Sequence, residues 1–435
     1  MSGEAELERI ETIAKKSQQV INKNFCNFWY NNEGRLFANM RMEGMSERPL
    51  LLFSESMHNA DMFYATRFLS ADPFIYLRTE AKEIILVAEM EVERAKRESK
   101  VKDVRSLLEY GDVNAKIEDI IIELLQDEGI SAVKVPKYFP VSVADALRNQ
   151  GISVEVVEEV FKEREVKSWW EIELIKKAQR ACEYAMRTAL NIIKSCSVRN
   201  GVLIDSKGEP LTAEKVKICI EHALIEQRCT TEEPIVACGK GSANPHWTGS
   251  GEIRADEPLI LDIFPRLRRE RYFADMTRTV VRGEPASEVV EMFEAVLDAQ
   301  NAAISLVREG VSCAEVHNCV CDIFEERGYE TLRKQQQEKM QKESEEKGRQ
   351  HSERHFRAKG QRKGFLHLTG HGVGLSLHEK PSLGFNEDLL RRGNVITIEP
   401  GLYDPAFGGV RIEDLVVVLR NGCENLTRFE KRLVL

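Results

Sequence analysis

The chain has 435 residues, 42% of them hydrophobic, with 62 basic against 71 acidic side chains and a net charge of −9. That balance supplies two or three packed domains, excludes collagen-like and low-complexity classes, and argues against nucleic acid as a partner. The most apolar runs, 84–88, 258–264 and 415–419, are strand-length and far short of the ~20 residues a bilayer span needs.

The N-terminus, MSGEAELERIETIAKK, is charged throughout and lacks the apolar core of a secretory signal. The ten cysteines are scattered without a C-x-x-C pair and read as small buried apolar residues rather than a disulfide framework. Both features predict a cytoplasmic protein.

In chain order, apolar spacing predicts a first helix over 5–21 and then strands at 50–53, 74–77 and 84–88. A helix over 117–125 is stopped by Gly129, and a strand at 133–135, a helix over 142–149 and a strand at 152–157 follow. This alternation predicts an α/β N-terminal domain over 1–163. A charged stretch, 161–167, marks the boundary. Ser168-x-x-Glu171 then reads as a capping box opening a long helix with Ile175, Ala178, Cys182, Ala185, Ala189 and Ile192 on one face.

From Pro234 the texture changes to strand pairs. Helices are predicted over 287–309 and 312–327, and strands at 394–399, 410–419 and 432–435, which makes 164–435 an α+β domain. Residues 333–363 hold eleven Lys/Arg and five Glu with almost no apolar residue. They form either a projecting helical arm or a disordered insertion, and their charge could gate an entrance or hold an anionic partner.

The chemistry concentrates in two predicted hairpins. Asp262 sits inside the apolar strand 258–264, where a carboxylate is costly unless paired or metal-bound. The next strand carries Asp275, and folding about the polar 266–271 turn brings the two acids opposite each other. Downstream, Glu399 closes one strand and Glu413 sits on the next, again facing each other across a pair. His371 lies between Gly370 and Gly372, which permit close backbone approach. Four carboxylates and one neutral imidazole balance two divalent ions, and oxygen-rich ligation with one nitrogen suits Mn, Co, Fe or Zn. Such a centre suits hydrolysis.

These residues also carry a resemblance. Asp262, Phe273-Ala-Asp275-Met-Thr277-Arg-Thr279, Gly370-His371-Gly-Val-Gly-Leu, His378-Glu-Lys-Pro381, Ile398-Glu399-Pro-Gly and Arg411-Ile-Glu413-Asp resemble the prolidase and aminopeptidase P family of pita-bread dinuclear metallopeptidases. The likeness runs by motif from residue 163 to the C-terminus, and by layout alone before it. It implies a creatinase/prolidase-like N-terminal domain ahead of a pita-bread catalytic domain. It implies that Asp262, Asp275, His371, Glu399 and Glu413 hold two metals bridged by hydroxide, with Asp275 and Glu413 as the bridging carboxylates. Glu399 is then the proton shuttle, His246 and His378 are catalytic and substrate-contacting groups, and Arg411 is a substrate-binding or supporting residue.

The same likeness implies a homodimer acting on short peptides, cleaving the N-terminal bond with proline after it. Two alternatives remain: non-peptidase metal-dependent chemistry, as a lyase or another C–N hydrolase, and a peptide-binding module. One departure stands out. The turn Pro265-Arg-Leu-Arg-Arg-Glu-Arg271 is basic and lacks the glycine usual there in the family.

Overall fold

A computed structural model of the chain describes residues 48–335, 337 and 363–435, with the backbone of two short paired strands, Phe28–Tyr30 and Leu36–Ala38. The helix expected over 5–21 and most of the charged segment 333–363 lie outside the described residues. The described chain groups into two units. One holds the residues up to Ser54 together with Phe74–Glu158; the other holds Glu55–Pro73 and Glu159–Leu435.

The first unit is built on a mixed six-stranded sheet. Its order is Asp103–Ser106, Glu83–Val87, Phe74–Arg78, Leu50–Ser54, Ala132–Pro136, Ser153–Val157. The central hairpins are antiparallel, while both outer pairings, and that of Leu50–Ser54 with Ala132–Pro136, are parallel. Parallel neighbours need crossovers. The helices Ile117–Asp127 and Val141–Asn149 occupy two of them, and Ile121, Leu124, Val143 and Leu147 pack on Leu51, Ile75, Ile84 and Val133. The Asp103–Ser106 strand was not expected, because its sequence, DVRS, has no apolar run.

The segment Glu55–Pro73 joins the second unit, although chain order places it in the N-terminal domain. Its helix, Ala60–Thr66, is capped by Asn59 accepting from the Met62 N–H, and it buries Phe63 in the second unit's core.

In the second unit the capping box forms as predicted: Glu171 accepts from the Ser168 N–H, opening the helix Trp169–Ser195. That helix and Ala213–Glu226 cover a three-stranded antiparallel sheet ordered Ile235–Cys238, Leu259–Ile263, Met276–Val280. A second helix pair, Ser287–Leu306 and Cys313–Glu326, shares a separate core with a five-stranded antiparallel sheet. That sheet is ordered Glu379–Leu383, Gly370–Gly372, Val395–Ile398, Asp414–Leu419, Gly422–Asn425. The predicted 410–419 strand is in fact two. Gly408–Arg411 pairs with Gly401–Asp404, and Asp414–Leu419 pairs with Val395–Ile398.

The two halves are stitched at one line. Arg411 N–H donates to Thr279 Oγ1 and Glu413 N–H to the Thr277 carbonyl, and a fully buried Arg278–Asp414 ion pair (2.9 Å) lies beside them. The nine described cysteines are free thiols. No described helix is long and apolar enough to cross a membrane.

Candidate metal centre

Asp262 lies on the Leu259–Ile263 strand, opposite Thr277 rather than Asp275. The sequence reading is corrected here. The turn 265–271 is no plain hairpin loop, since Arg266–Leu267 forms a short strand with Cys229–Thr230, and the register shifts accordingly. Asp275 ends up just before Met276–Val280, two residues from Thr277, so strand alternation returns it to the same face as Asp262's partner.

Glu399 and Glu413 meet as the spacing predicted. Ile398 pairs with Asp414 and Gly401 with Arg411, so an unbroken register sets Glu399 opposite Glu413. Thr277 Oγ1 donates to Glu413 at 2.7 Å, and Thr397 Oγ1 donates to Glu399 at 3.2 Å.

His371 stands on the Gly370–Gly372 strand. A Cβ on Gly370 would lie 2.0 Å from the Thr397 carbonyl oxygen, and one on Gly372 2.3 Å from that of Lys380, so only glycine lets the histidine strand sit this deep. The His371 Nδ1 lies 3.0 Å from the Gly372 carbonyl, which fixes the proton on that nitrogen. Nε2 is thereby left as a free lone pair, 3.3 Å from Glu399 and 3.7 Å from Asp275.

Donor atoms of Asp275, His371 and Glu413 all lie within 4.8 Å of one another, and Asp262 and Glu399 line the same cavity of about 690 Å³. Buried oxygens of Asp262 (Oδ1), Asp275 (Oδ1) and Glu413 (Oε1) have no hydrogen-bond partner. Burial raises the Asp275 and Glu413 carboxyls well above their ordinary range, and neighbouring carboxylates add to it: Glu413 and Asp262 for Asp275, Glu399 and Asp262 for Glu413. Burial likewise pushes Glu399 up to about 7, with Arg411 opposing and Asp262 reinforcing. Burial holds His371 below its usual value, hence neutral at pH 7. Crowded carboxylate oxygens without hydrogen-bond partners, beside a neutral imidazole, are a donor set that fits divalent cations.

The remaining predicted residues line the same cavity. His246 is exposed on a turn whose Asn244 side chain accepts its backbone N–H. The His378 ring packs edge-on against His371, centroids 4.2 Å apart, and burial lowers it to about 4. Arg411 is buried and committed: its guanidinium pairs with Asp262 at 2.7 Å and donates to Tyr403 Oη at 2.9 Å. Sequence reasoning missed Tyr403 and gave no role to His367, whose Nε2 lies 2.9 Å from the same Tyr403 Oη. Their signal was faint, because neither sits in a run that betrays burial.

A second group escaped notice. Glu379 accepts from Lys167 Nζ (3.0 Å) and from the Ser376 N–H, and it pairs with Arg164, which also binds Asp61 at 2.6 Å. Burial alone would raise the Glu379 carboxyl, but Lys167 and Arg164 outweigh it and hold the group below its usual value. The carboxylate therefore contributes stability above its unfolded pKa of about 4.3 and loses it as pH falls through the lower folded value. Glu379→Ala, stranding Lys167, should cost about 3–5 kcal/mol at pH 7 in a denaturant titration. The deficit should shrink as pH falls towards about 3; an unchanged deficit would contradict the assignment.

The metallopeptidase family M24 model matches residues 173–420, and the creatinase/prolidase N-terminal domain model matches residues 50–163. The chain is 29% identical over 363 residues to a Xaa-Pro dipeptidase of Pyrococcus furiosus, covering 82% of this chain and 88% of that one. A Xaa-Pro dipeptidase of Pyrococcus horikoshii is similar to the same degree, with 87% of it covered. Among solved structures, the Pyrococcus horikoshii prolidase superposes with a TM-score of 0.69 at 27% identity, covering 89% of this chain and 95% of that one. A Xaa-Pro dipeptidase from Bacillus anthracis shares the fold, with a TM-score of 0.71 at 24% identity over 89% of this chain and 95% of that one. With the motifs in place and the catalytic model spanning more than half its length, the chain belongs to metallopeptidase family M24, in the prolidase and aminopeptidase P group, as a creatinase-type N-terminal domain followed by a pita-bread catalytic domain.

Proposed function

We propose that the protein is a metal-dependent exopeptidase that hydrolyses the N-terminal peptide bond of short peptides with proline after that bond. The observation that carries this reading is the convergence of Asp262, Asp275, His371, Glu399 and Glu413 on one cavity, with orphaned carboxylate oxygens at its floor. Proline preference rests on the Xaa-Pro dipeptidase relatives. Residues 164–435 carry the chemistry and residues 1–163 form the accessory domain, a division supported by the two family matches.

The five residues would hold two divalent ions, of Mn, Co, Zn or Fe type, which when bound supply a polarised substrate carbonyl and a water of lowered pKa. Glu399 takes the water's proton and returns it to the leaving amine, a task suited to a carboxyl pushed towards neutrality. His378, neutral at pH 7, donates an N–H to the attacked oxygen, and His246, which lines the same cavity, assists it. Arg411 fixes Asp262 and Tyr403 and borders the substrate space. The acidic floor attracts the free amino end of a peptide. The family likeness favours a homodimer, and the scattered free cysteines favour a cytoplasmic setting.

A panel of Xaa-Pro, Xaa-Ala and Met-Xaa dipeptides, with one Xaa-Pro-Yaa tripeptide, tests the substrate class. Xaa-Pro peptides should be the fastest. Met-Xaa substrates outpacing every Xaa-Pro peptide would overturn the proline assignment.

A further inference from the structure

The basic turn between the two Asp strands closes a second cavity, of about 270 Å³, whose lining shares no residue with the metal cavity. Arg266 and Arg271 line it together with His58, Glu232 and Phe273. The Arg266 guanidinium rests over the Phe273 ring, 5.2 Å from its centroid. Arg271 is 7% exposed, sits in the left-handed region (φ 65°) and donates only to main-chain oxygens, those of Met57 and Arg268.

Among the described residues, neither guanidinium has a carboxylate within ion-pair distance. Glu55 is engaged by His58 at 3.4 Å, and Glu232 lines the cavity without closing on Arg266. Other buried cations of this unit are paired: Arg278 with Asp414, Lys167 with Glu379, Arg411 with Asp262. Burial, then the neighbouring Arg266, lowers Arg271 to about 10 against an opposing pull from Glu55, and burial lowers Arg266 against the pull of Glu232 and Glu55. Arg271 nevertheless remains charged at pH 7. A buried guanidinium with no carboxylate in ion-pair contact, beside a second, half-buried one, is costly unless an anion closes on both. The planar forks of arginine match the oxygen geometry of carboxylate and phosphate.

We propose that the cavity between Arg266 and Arg271 binds a small oxyanion, a phosphate or carboxylate group, at a site separate from the metal centre. The volume admits a small metabolite and excludes a folded partner. Arg266 is the more open half of the site, its guanidinium resting on Phe273; Arg271 is the anchored half, held by the Met57 and Arg268 carbonyls.

Calorimetric titration of the full-length, metal-loaded protein with orthophosphate, and separately with succinate, tests this against Arg266→Gln and Arg271→Lys. Wild type should bind at least one probe in the millimolar range or tighter, more weakly at high salt. Arg266→Gln should weaken that binding about tenfold, a figure expected for losing one charge-assisted fork. Arg271→Lys, which keeps the charge, should weaken it less. Preference for orthophosphate identifies a phosphorylated ligand, and preference for succinate a carboxylated one. Equal affinities in wild type and both variants would assign all binding to the metal centre and overturn the proposal, as would no binding of either probe to wild type.

Discussion

Asp275→Ala is expected to lose bound metal and peptidase activity together, with kcat/KM falling by about 10³-fold or more, the equivalent of about 4 kcal/mol of transition-state stabilisation. Asp275 is 5% exposed, its Oδ1 has no partner, and a donor atom lies within 4.8 Å of those of His371 and Glu413. Thr277, two residues on and on the same face, is already donating to Glu413 and does not replace that oxygen. The variant separates a chemical loss from a folding loss. Without metal, burial and the nearby Glu413 and Asp262 charges make the wild-type carboxylate a liability. The metal-free variant should therefore melt no lower than metal-free wild type. Metal content by elemental analysis, with melting curves for both proteins, checks the two halves. A variant that keeps both metals and most of its activity would remove Asp275 from the centre.

Glu399→Gln should behave differently. Gln keeps the shape and still accepts from Thr397 Oγ1, so part of the metal should remain. It cannot take a proton, and kcat should fall by about 10²–10⁴-fold, the usual range for a lost general acid–base, with a smaller change in KM. A kcat within about tenfold of wild type would assign the proton transfer elsewhere.

The site was legible because its chemistry breaks sequence rules locally. Asp262 interrupts an apolar strand, His371 sits between glycines, and Glu399 and Glu413 flank a turn at matched reach. What escaped was whatever depends on partners far along the chain. The Asp262–Thr277 register followed from a two-residue strand, Arg266–Leu267, whose pairing with Cys229–Thr230 no local pattern announces. Tyr403 and His367 acquire a role only because Arg411, committed to Asp262, brings its other arm to Tyr403. Glu379 looks like one more charge beside His378 until Lys167 and Arg164, more than 200 residues earlier, close on it.

The fold divides in the same way. Ser168 and Glu171 announced their helix because a capping box is local. The helix Ala60–Thr66 is equally local through Asn59, yet its membership of the second unit depends on Phe63 finding Ile175 and Tyr272 in one core. The Asp103–Ser106 strand is polar and is held by its parallel neighbour Glu83–Val87, so hydrophobic periodicity could not reveal it.

Metal analysis of the purified full-length protein, joined to activity before and after exhaustive chelation, tests the dinuclear centre most directly. Close to two equivalents of divalent metal per chain are expected, with Xaa-Pro hydrolysis abolished by the chelator and restored by adding back Mn or Co. Hydrolysis that survives complete removal of metal would contradict the account.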